Sequence, residues 1–406
     1  MVAGIFISSI FIDVVTYIIF KITQGFTILL ISLGLIRKRK PIDPQQFKVS
    51  VVIPAYNEER YIERAIDSAF NQTVQPERVI VIDDCSTDNT PQICNNLKQK
   101  CPNLHIIRQP QNKGKAFNIS YVLNSQQLSE ITLVLDADTY LSKDYLQEIL
   151  KPFANKRVAI SSGMSLPFKP KNLMGKIICR GAAFQYLFFC FRKEAQAFRN
   201  SIPVISGDSS AYRTSFLKGL GGFPQGTQTE DMDITWIALE KGHRVCFQKK
   251  AHARSNDPST LIGHWKQITR WYSGSIQCIF RHGRNLLKAK PLLITTIIPI
   301  YFDTMIYAPM FLTFLILIPF YPLLSLIFFT ADLTFTIIAI LYLNWRWIIR
   351  LPEIYFIKFI WSLAWLTALL KTTMEFIFGK TYWGGAWTRD DFYVEGQQNQ
   401  NANQTL

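Results

Sequence analysis

The chain has 406 residues, 49% of them hydrophobic, and a net charge of +15 at pH 7. No helix-turn-helix, zinc-finger or RNP pattern goes with the charge, which clusters beside apolar segments (37–40, Lys288 and Lys290, Arg346 and Arg350); this excludes a nucleic-acid reader and fits the basic flanks of membrane segments. Seven cysteines, an odd number without a Cys-x-x-Cys pair, read as reduced cytosolic thiols.

Residues 4–36 are apolar apart from Asp13, Lys21, Gln24 and a few hydroxyls. One straight helix of that length would overshoot a hydrocarbon core of roughly 30 Å, so either two short spans meet near Lys21 or one span comes after an interfacial segment. No basic n-region or small-residue cleavage site precedes the apolar stretch, so it does not read as a signal peptide. The basic run at 37–40 then puts the middle of the chain on the cytoplasmic side.

That middle region alternates strand and helix signals. Apolar runs at 49–53, 79–82, 105–107 and 131–135 read as buried strands, and stretches at about 59–70, 90–100 and 116–124 read as helices. Such β-α-β alternation predicts a parallel sheet covered on both faces, with ligands at the carboxyl ends of its strands. Two later stretches, 173–198 and 261–286, are amphipathic and read equally as interfacial helices or core-facing ones. Beyond Pro291 come about 85 mostly apolar residues, with breaks expected near Asp303, 319–322, Asp332 and 344–352, which accommodates two to four spans. The Gln/Asn-rich tail from Gly396 reads as disordered. The expected division is 1–40 (membrane segment), 41–260 (catalytic domain), 261–290 (interfacial helix), 291–380 (membrane region) and 381–406 (tail).

Six polar blocks interrupt this pattern. Asp136-Ala137-Asp138 comes after a strand; a carboxylate there can hold a hard cation, Mg²⁺ or Mn²⁺, against a diphosphate. Pro54-Ala55-Tyr56-Asn57-Glu58 lies at the end of the first strand. Its Tyr56 and Glu58 can cover a base and ribose, or simply make a strand-to-helix loop. Asp83 and Asp84 can accept the ring N–H of uracil, while Ser86, Thr87 and Asp88 suit a helix N-cap. Lys115 can meet phosphate as a point charge.

The remaining two blocks lie later in the chain, with a polar turn at 206–208 ahead of them. Thr229-Glu230-Asp231 supplies a candidate general base in Asp231, needed on the face opposite the leaving group if sugar transfer inverts; helix capping is the plainer alternative. Ser206-Gly207-Asp208 can wall the acceptor closely. Gln267, Arg270 and Trp271 share one helical face, where Arg270 can grip a diphosphate and Trp271 can stack on a sugar or anchor in a membrane interface. The histidines show no metal spacing, and His243, His252, His264 and His282 read as surface or core residues.

In this order, Asp-Asp, Asp-x-Asp, Thr-Glu-Asp and Gln-x-x-Arg-Trp resemble the membrane-embedded inverting glycosyltransferases of family two, over about residues 48–290. The block spacing is most similar to the poly-N-acetylglucosamine synthase-like branch of the hyaluronan, chitin and cellulose synthase superfamily. The resemblance implies an α/β GT-A fold: a cytoplasmic Rossmann-like domain with a mixed sheet, flanked by transmembrane and interfacial helices. It implies a multi-pass enzyme of the plasma or inner membrane that uses a UDP-sugar and Mg²⁺ or Mn²⁺.

In that reading Asp231 is the base and Asp138 the metal ligand. Pro54, Ala55, Tyr56, Glu58, Asp83, Asp84, Lys115, Asp136, Gln267 and Arg270 face the donor, and Gly207, Asp208, Glu230 and Trp271 face the acceptor. Trp383-Gly384 with Arg389 is loosely similar to a Trp-Gly…Arg element of the family. The expected reaction adds a hexose or N-acetylhexosamine, first of all N-acetylglucosamine, to a growing β-linked polysaccharide. The alternative is one-step glycosylation of a lipid. A UDP-sugar, a polysaccharide or glycolipid acceptor and the bilayer are the implied partners, with room for accessory membrane subunits and none for nucleic acid.

Overall fold

The computed structural model describes residues 47–288 and 307–378. The expected segment 1–40, the residues around Asp303, the tail and Trp383, Gly384 and Arg389 lie outside the described residues.

The first half alternates as its apolar runs dictate: β1 (Val49–Ala55), α1 (Ile62–Phe70), β2 (Arg78–Asp83), α2 (Thr90–Lys100), β3 (Leu104–Arg108), α3 (Lys115–Ser125) and β4 (Ile131–Leu135). β1, β2 and β4 are mostly apolar and buried, Ser50 and Thr132 included, because both sheet faces are covered there, whereas β3 at the sheet edge is only partly buried. Val49, Val51 and Ile53 enter one core cluster with Val79, Val81, Ile131, Leu133 and Leu135. Val52, Ile80 and Ile82 point the other way, onto Val122 of α3. Helix α1 starts later than its sequence pattern suggests. Asn57 takes a positive φ of 55°, and the backbone N–H groups of Glu58 and Glu59 go to the side chains of Thr90 and Asp88 instead of opening a helix.

The second half adds β5 (Tyr140–Leu141), α4 (Tyr145–Leu150), β6 (Val158–Pro167), α5 (Leu173–Arg199), β7 (Ser209–Arg213), α6 (Thr214–Gly219), α7 (Glu230–Glu240), β8 (Arg244–Ser255) and α8 (Leu261–Lys288). The sheet has eight strands in the order β3-β2-β1-β4-β7-β6-β8-β5. The first four strands pair in parallel. β7 then runs antiparallel to both β4 and β6, so the sheet is mixed rather than wholly parallel. This reversal brings the start of β7 to the end of β4: Leu135 pairs with Ser209, and the Asp136 N–H donates to the Asp208 carbonyl at 2.8 Å. Two polar blocks far apart in the chain therefore share one sheet edge.

Beyond the sheet-containing half lie α9 (Tyr307–Leu317), α10 (Pro322–Leu343), a 3₁₀ segment (Trp345–Arg350) and α11 (Leu351–Phe378). Two helices among the described residues are long and apolar enough to cross a membrane, Pro322–Leu341 and Trp345–Phe378. The break expected at Asp332 does not occur. Asp332 sits inside α10 and is 3% exposed, because Lys358 of α11 reaches it at 2.8 Å and the Tyr355 hydroxyl donates to it at 2.7 Å. A charge in an apolar helix is tolerable when a neighbouring helix supplies its partner. Helix α8 packs between the two halves, its Ile268 and Tyr272 joining Ala308, Ala364, Trp365 and Ala368.

Candidate active site

On the donor side, the loops after β1 and β2 are clasped together. The Asn57 carboxamide oxygen accepts the Thr87 N–H at 2.8 Å, and the Asn57 N–H donates to Ser86 Oγ at 3.0 Å. Asp83 is 1% exposed; it accepts the Ser86 N–H at 3.0 Å and lies 3.3 Å from the Arg108 guanidinium. Asp84 accepts the N–H groups of Lys113 and Gly114, each at 2.8 Å. Asp83 thus fixes the turn after β2 and Asp84 the loop that delivers Lys115, and each carboxylate oxygen keeps a lone pair for a further donor. Pro54, Ala55, Tyr56 and Glu58 line the same strand end, the Ala55 carbonyl taking the Asp84 N–H at 2.8 Å. In sequence Asn57 reads only as a helix-start residue. Its clasp depends on a loop 30 residues further on, which local pattern cannot reveal.

Lys115 is the hinge of the charge arrangement. Its ammonium lies 2.6 Å from Asp136 and 3.3 Å from Glu230, and it donates to the Gly207 carbonyl at 2.7 Å. Burial works against its charge, but Asp136 and Glu230 outweigh burial and lift its pKa above the ordinary lysine value. One cation therefore ties the Asp-x-Asp turn to the Thr-Glu-Asp turn. Asp138 feels burial together with the Asp136 and Asp208 carboxylates, which push it up to about 8.

Asp231 is at the head of α7, pushed up to about 6 by burial and by Glu230, against the pull of Lys115 and Arg270. Gly207 abuts it: a Cβ on Gly207 would sit 2.8 Å from Asp231 Oδ2. Gly207→Val should therefore displace the carboxylate and lower turnover about tenfold with little change in the melting temperature. Turnover like the parent's would show that this contact is unimportant. Asp208 itself is held by Ser165 and Ser209.

Helix α8 closes the site on the side of the apolar C-terminal helices. Gly274 lets it approach: a Cβ there would meet Thr229 at 2.5 Å. Arg270 donates to the Gln228 carbonyl at 3.1 Å and acts electrostatically on both Glu230 and Asp231. Trp271 joins an aromatic group with Tyr186 of α5 and Trp361 of α11, at 5.9 and 6.4 Å between ring centres. Gln267 is 9% exposed and faces Asp257, a residue outside the six polar blocks. Burial drives Asp257 to about 6, with Tyr186 and Gln267 opposing and Asp208 assisting. His264 is a core residue as expected: it is fully buried, accepts the Trp361 indole N–H at 2.9 Å, and burial lowers it to about 4.

The acid cluster suits a divalent cation. Asp138 is crowded by Asp136 and Asp208, a repulsion that a hard cation relieves. Among the described residues no group of three or more His, Cys, Asp or Glu side chains is placed to hold a metal ion. A lone carboxylate such as Asp138 would leave the other positions of an ion to phosphate and water oxygens.

Residues 50–221 match the family model described as glycosyl transferase family 2. These residues are a family 2 glycosyltransferase domain. The domain's relatives include the poly-beta-1,6-N-acetyl-D-glucosamine synthases of Staphylococcus aureus (strain COL), 25% identical over 244 residues, and of Staphylococcus epidermidis, 26% identical over 245 residues. Each match spans 60% of this chain and 58% of the relative. In structure, the chain is similar to the mannosyltransferase PcManGT from Pyrobaculum calidifontis, solved with GDP-Man and Mn²⁺. The TM-score is 0.62 at 18% identity, covering 89% of this chain and 99% of that one. The likeness shows the GT-A fold, as the mixed sheet does. The family 2 match ends ahead of Glu230, Asp231, Gln267, Arg270 and Trp271, so the assignment of those residues stands on their geometry.

Proposed function

We propose that the protein is a membrane glycosyltransferase that transfers a hexose or N-acetylhexosamine, first of all N-acetylglucosamine, from a UDP-sugar with inversion, extending a β-linked polysaccharide. The observation that carries this reading is the Lys115 bridge between Asp136 and Glu230. It links the donor-side acids to the Asp231 carboxylate, itself beside Arg270. The names of the staphylococcal relatives support the sugar and the polymer product. The two apolar helices support a membrane enzyme, and the basic run at 37–40 supports a multi-pass arrangement with the domain in the cytoplasm.

The donor's uracil meets Asp83 and Asp84, and its diphosphate meets Arg270. Asp138, with Asp136 beside it, would hold Mg²⁺ or Mn²⁺, and that ion would supply positive charge for the leaving diphosphate. Asp231 accepts the proton of the acceptor hydroxyl. The freed oxygen bonds to the anomeric carbon from the face opposite the diphosphate. The bond from that carbon to the phosphate oxygen breaks, and UDP leaves. Gly207 and Asp208 wall the acceptor, and Trp271 and Glu230 border it. Membranes containing the protein, given labelled UDP-GlcNAc, UDP-glucose and UDP-glucuronate with Mg²⁺ or Mn²⁺, should release UDP most rapidly from UDP-GlcNAc and form a high-mass, polydisperse product. A single discrete glycolipid would refute chain extension, and no UDP release from any donor would refute the enzyme.

A further inference from the structure

Helices α7 and α8 carry the two halves of the candidate chemistry, Glu230 and Asp231 on one and Gln267, Arg270 and Trp271 on the other. Their relative setting is held by Asp233, whose side chain is completely buried. One Asp233 oxygen faces His282 Nε2 at 2.7 Å. The other accepts from Arg281 Nη1 at 2.7 Å and Thr227 Oγ1 at 3.1 Å. The second ring nitrogen of His282, Nδ1, lies 2.9 Å from Glu240 at the far end of α7. A neutral imidazole has one N–H and one lone pair, so it can donate to only one carboxylate and must turn a lone pair on the other. Only the imidazolium donates to both.

We propose that His282 is a positioning residue, an imidazolium clamp between Asp233 and Glu240 that aligns Asp231 on α7 with Arg270 and Trp271 on α8, and that losing its proton slackens this alignment and slows transfer on the alkaline side. The link to transfer rests on the function proposed above; the clamp itself does not.

The charged groups facing the ring are Asp233 and Glu240 from α7 and, on its own helix, Arg281, which shares Asp233. The uncharged Trp236 indole packs edge-on at 5.7 Å. Burial disfavours the charged ring, but the two carboxylates prevail and raise its pKa above the ordinary 6.5. A raised folded-state value means that the clamp is complete below the unfolded value and is lost as pH rises through the folded one. The helices also pack through Met232, Trp236 and Cys278, so deprotonation changes their register rather than separating them. In sequence His282 carries no signal, because both partners lie more than 40 residues upstream.

The test uses the full chain. Histidine hydrogen–deuterium exchange read by mass spectrometry should give His282 a midpoint above 6.5, lowered in Glu240→Gln. A midpoint at or below 6.5 overturns the clamp, whatever sugar the enzyme uses. In transfer assays, His282→Gln should lower kcat about tenfold with the donor KM little changed. His282→Arg, which keeps a cation, should restore kcat and carry activity to higher pH. An alkaline limb that is the same in Glu240→Gln, His282→Arg and the parent would overturn the link to catalysis. A protein inactive with every donor would sink the transferase reading while leaving the exchange result to judge the clamp.

Discussion

Asp231→Asn is expected to cut transfer by about 10²–10⁴-fold while leaving UDP binding close to the parent's. The substitution keeps the shape of the side chain, and its oxygen can still take the Met232 N–H, an interaction the parent makes at 2.8 Å. What it removes is the carboxylate proposed to accept the acceptor's proton. The nucleotide contacts proposed for Asp83, Asp84 and Arg270 are untouched, so isothermal titration with UDP should separate binding from turnover. The pH profile adds a second reading. The parent's Asp231 is pushed up to about 6 by burial and Glu230, and a base works only when ionised. Turnover should therefore fall as pH drops through about 6, and the residual activity of Asp231→Asn should lack that limb. Near-parental turnover in this variant would remove Asp231 from the chemistry.

Lys115→Met should lower kcat/KM roughly 10–100-fold, the loss of a charge-assisted contact of about 1.5–3 kcal/mol. It should also move the acid limb to higher pH. Lys115 is the cation common to Asp136 and Glu230, and it also pulls the Asp231 pKa down. Without it, burial and Glu230 act on Asp231 with less opposition, so the carboxylate holds its proton to higher pH. About a quarter of the Lys115 side chain meets solvent, 26%, which moderates the shift. Lys115→Arg should recover part of the limb because it keeps a positive charge, although its planar fork does not match a point-charge site. Measuring UDP release against pH for the three proteins decides the matter. An acid limb unmoved in Lys115→Met would mean that the bridge does not tune the base.

Much of the donor half was legible from residue pattern. Strands β1, β2 and β4 are mainly apolar runs, broken only by small hydroxyl residues such as Ser50 and Thr132, and each is followed by a polar block, because a strand covered on both faces must be largely apolar and its ligand-facing end need not be. The order of the blocks and the helical face shared by Gln267, Arg270 and Trp271 also come from short-range spacing. Asp332 shows the limit of that logic. Read locally it breaks a helix, yet α10 runs through it because Lys358 of a neighbouring helix supplies the counter-charge.

From sequence alone came the alternating α/β half, its polar strand ends and the apolar C-terminal helices, all properties of residues within a few positions of one another. Tertiary structure alone decided that Lys115 spans Asp136 and Glu230, that Gly207 leaves room for Asp231, and that Asp233 and His282 join α7 to α8. Each of these is a contact between segments brought together by the antiparallel return of β7 or the packing of α8. Hydrophobic periodicity encodes which face of an element is buried, and it carries no record of which distant side chain will meet it there.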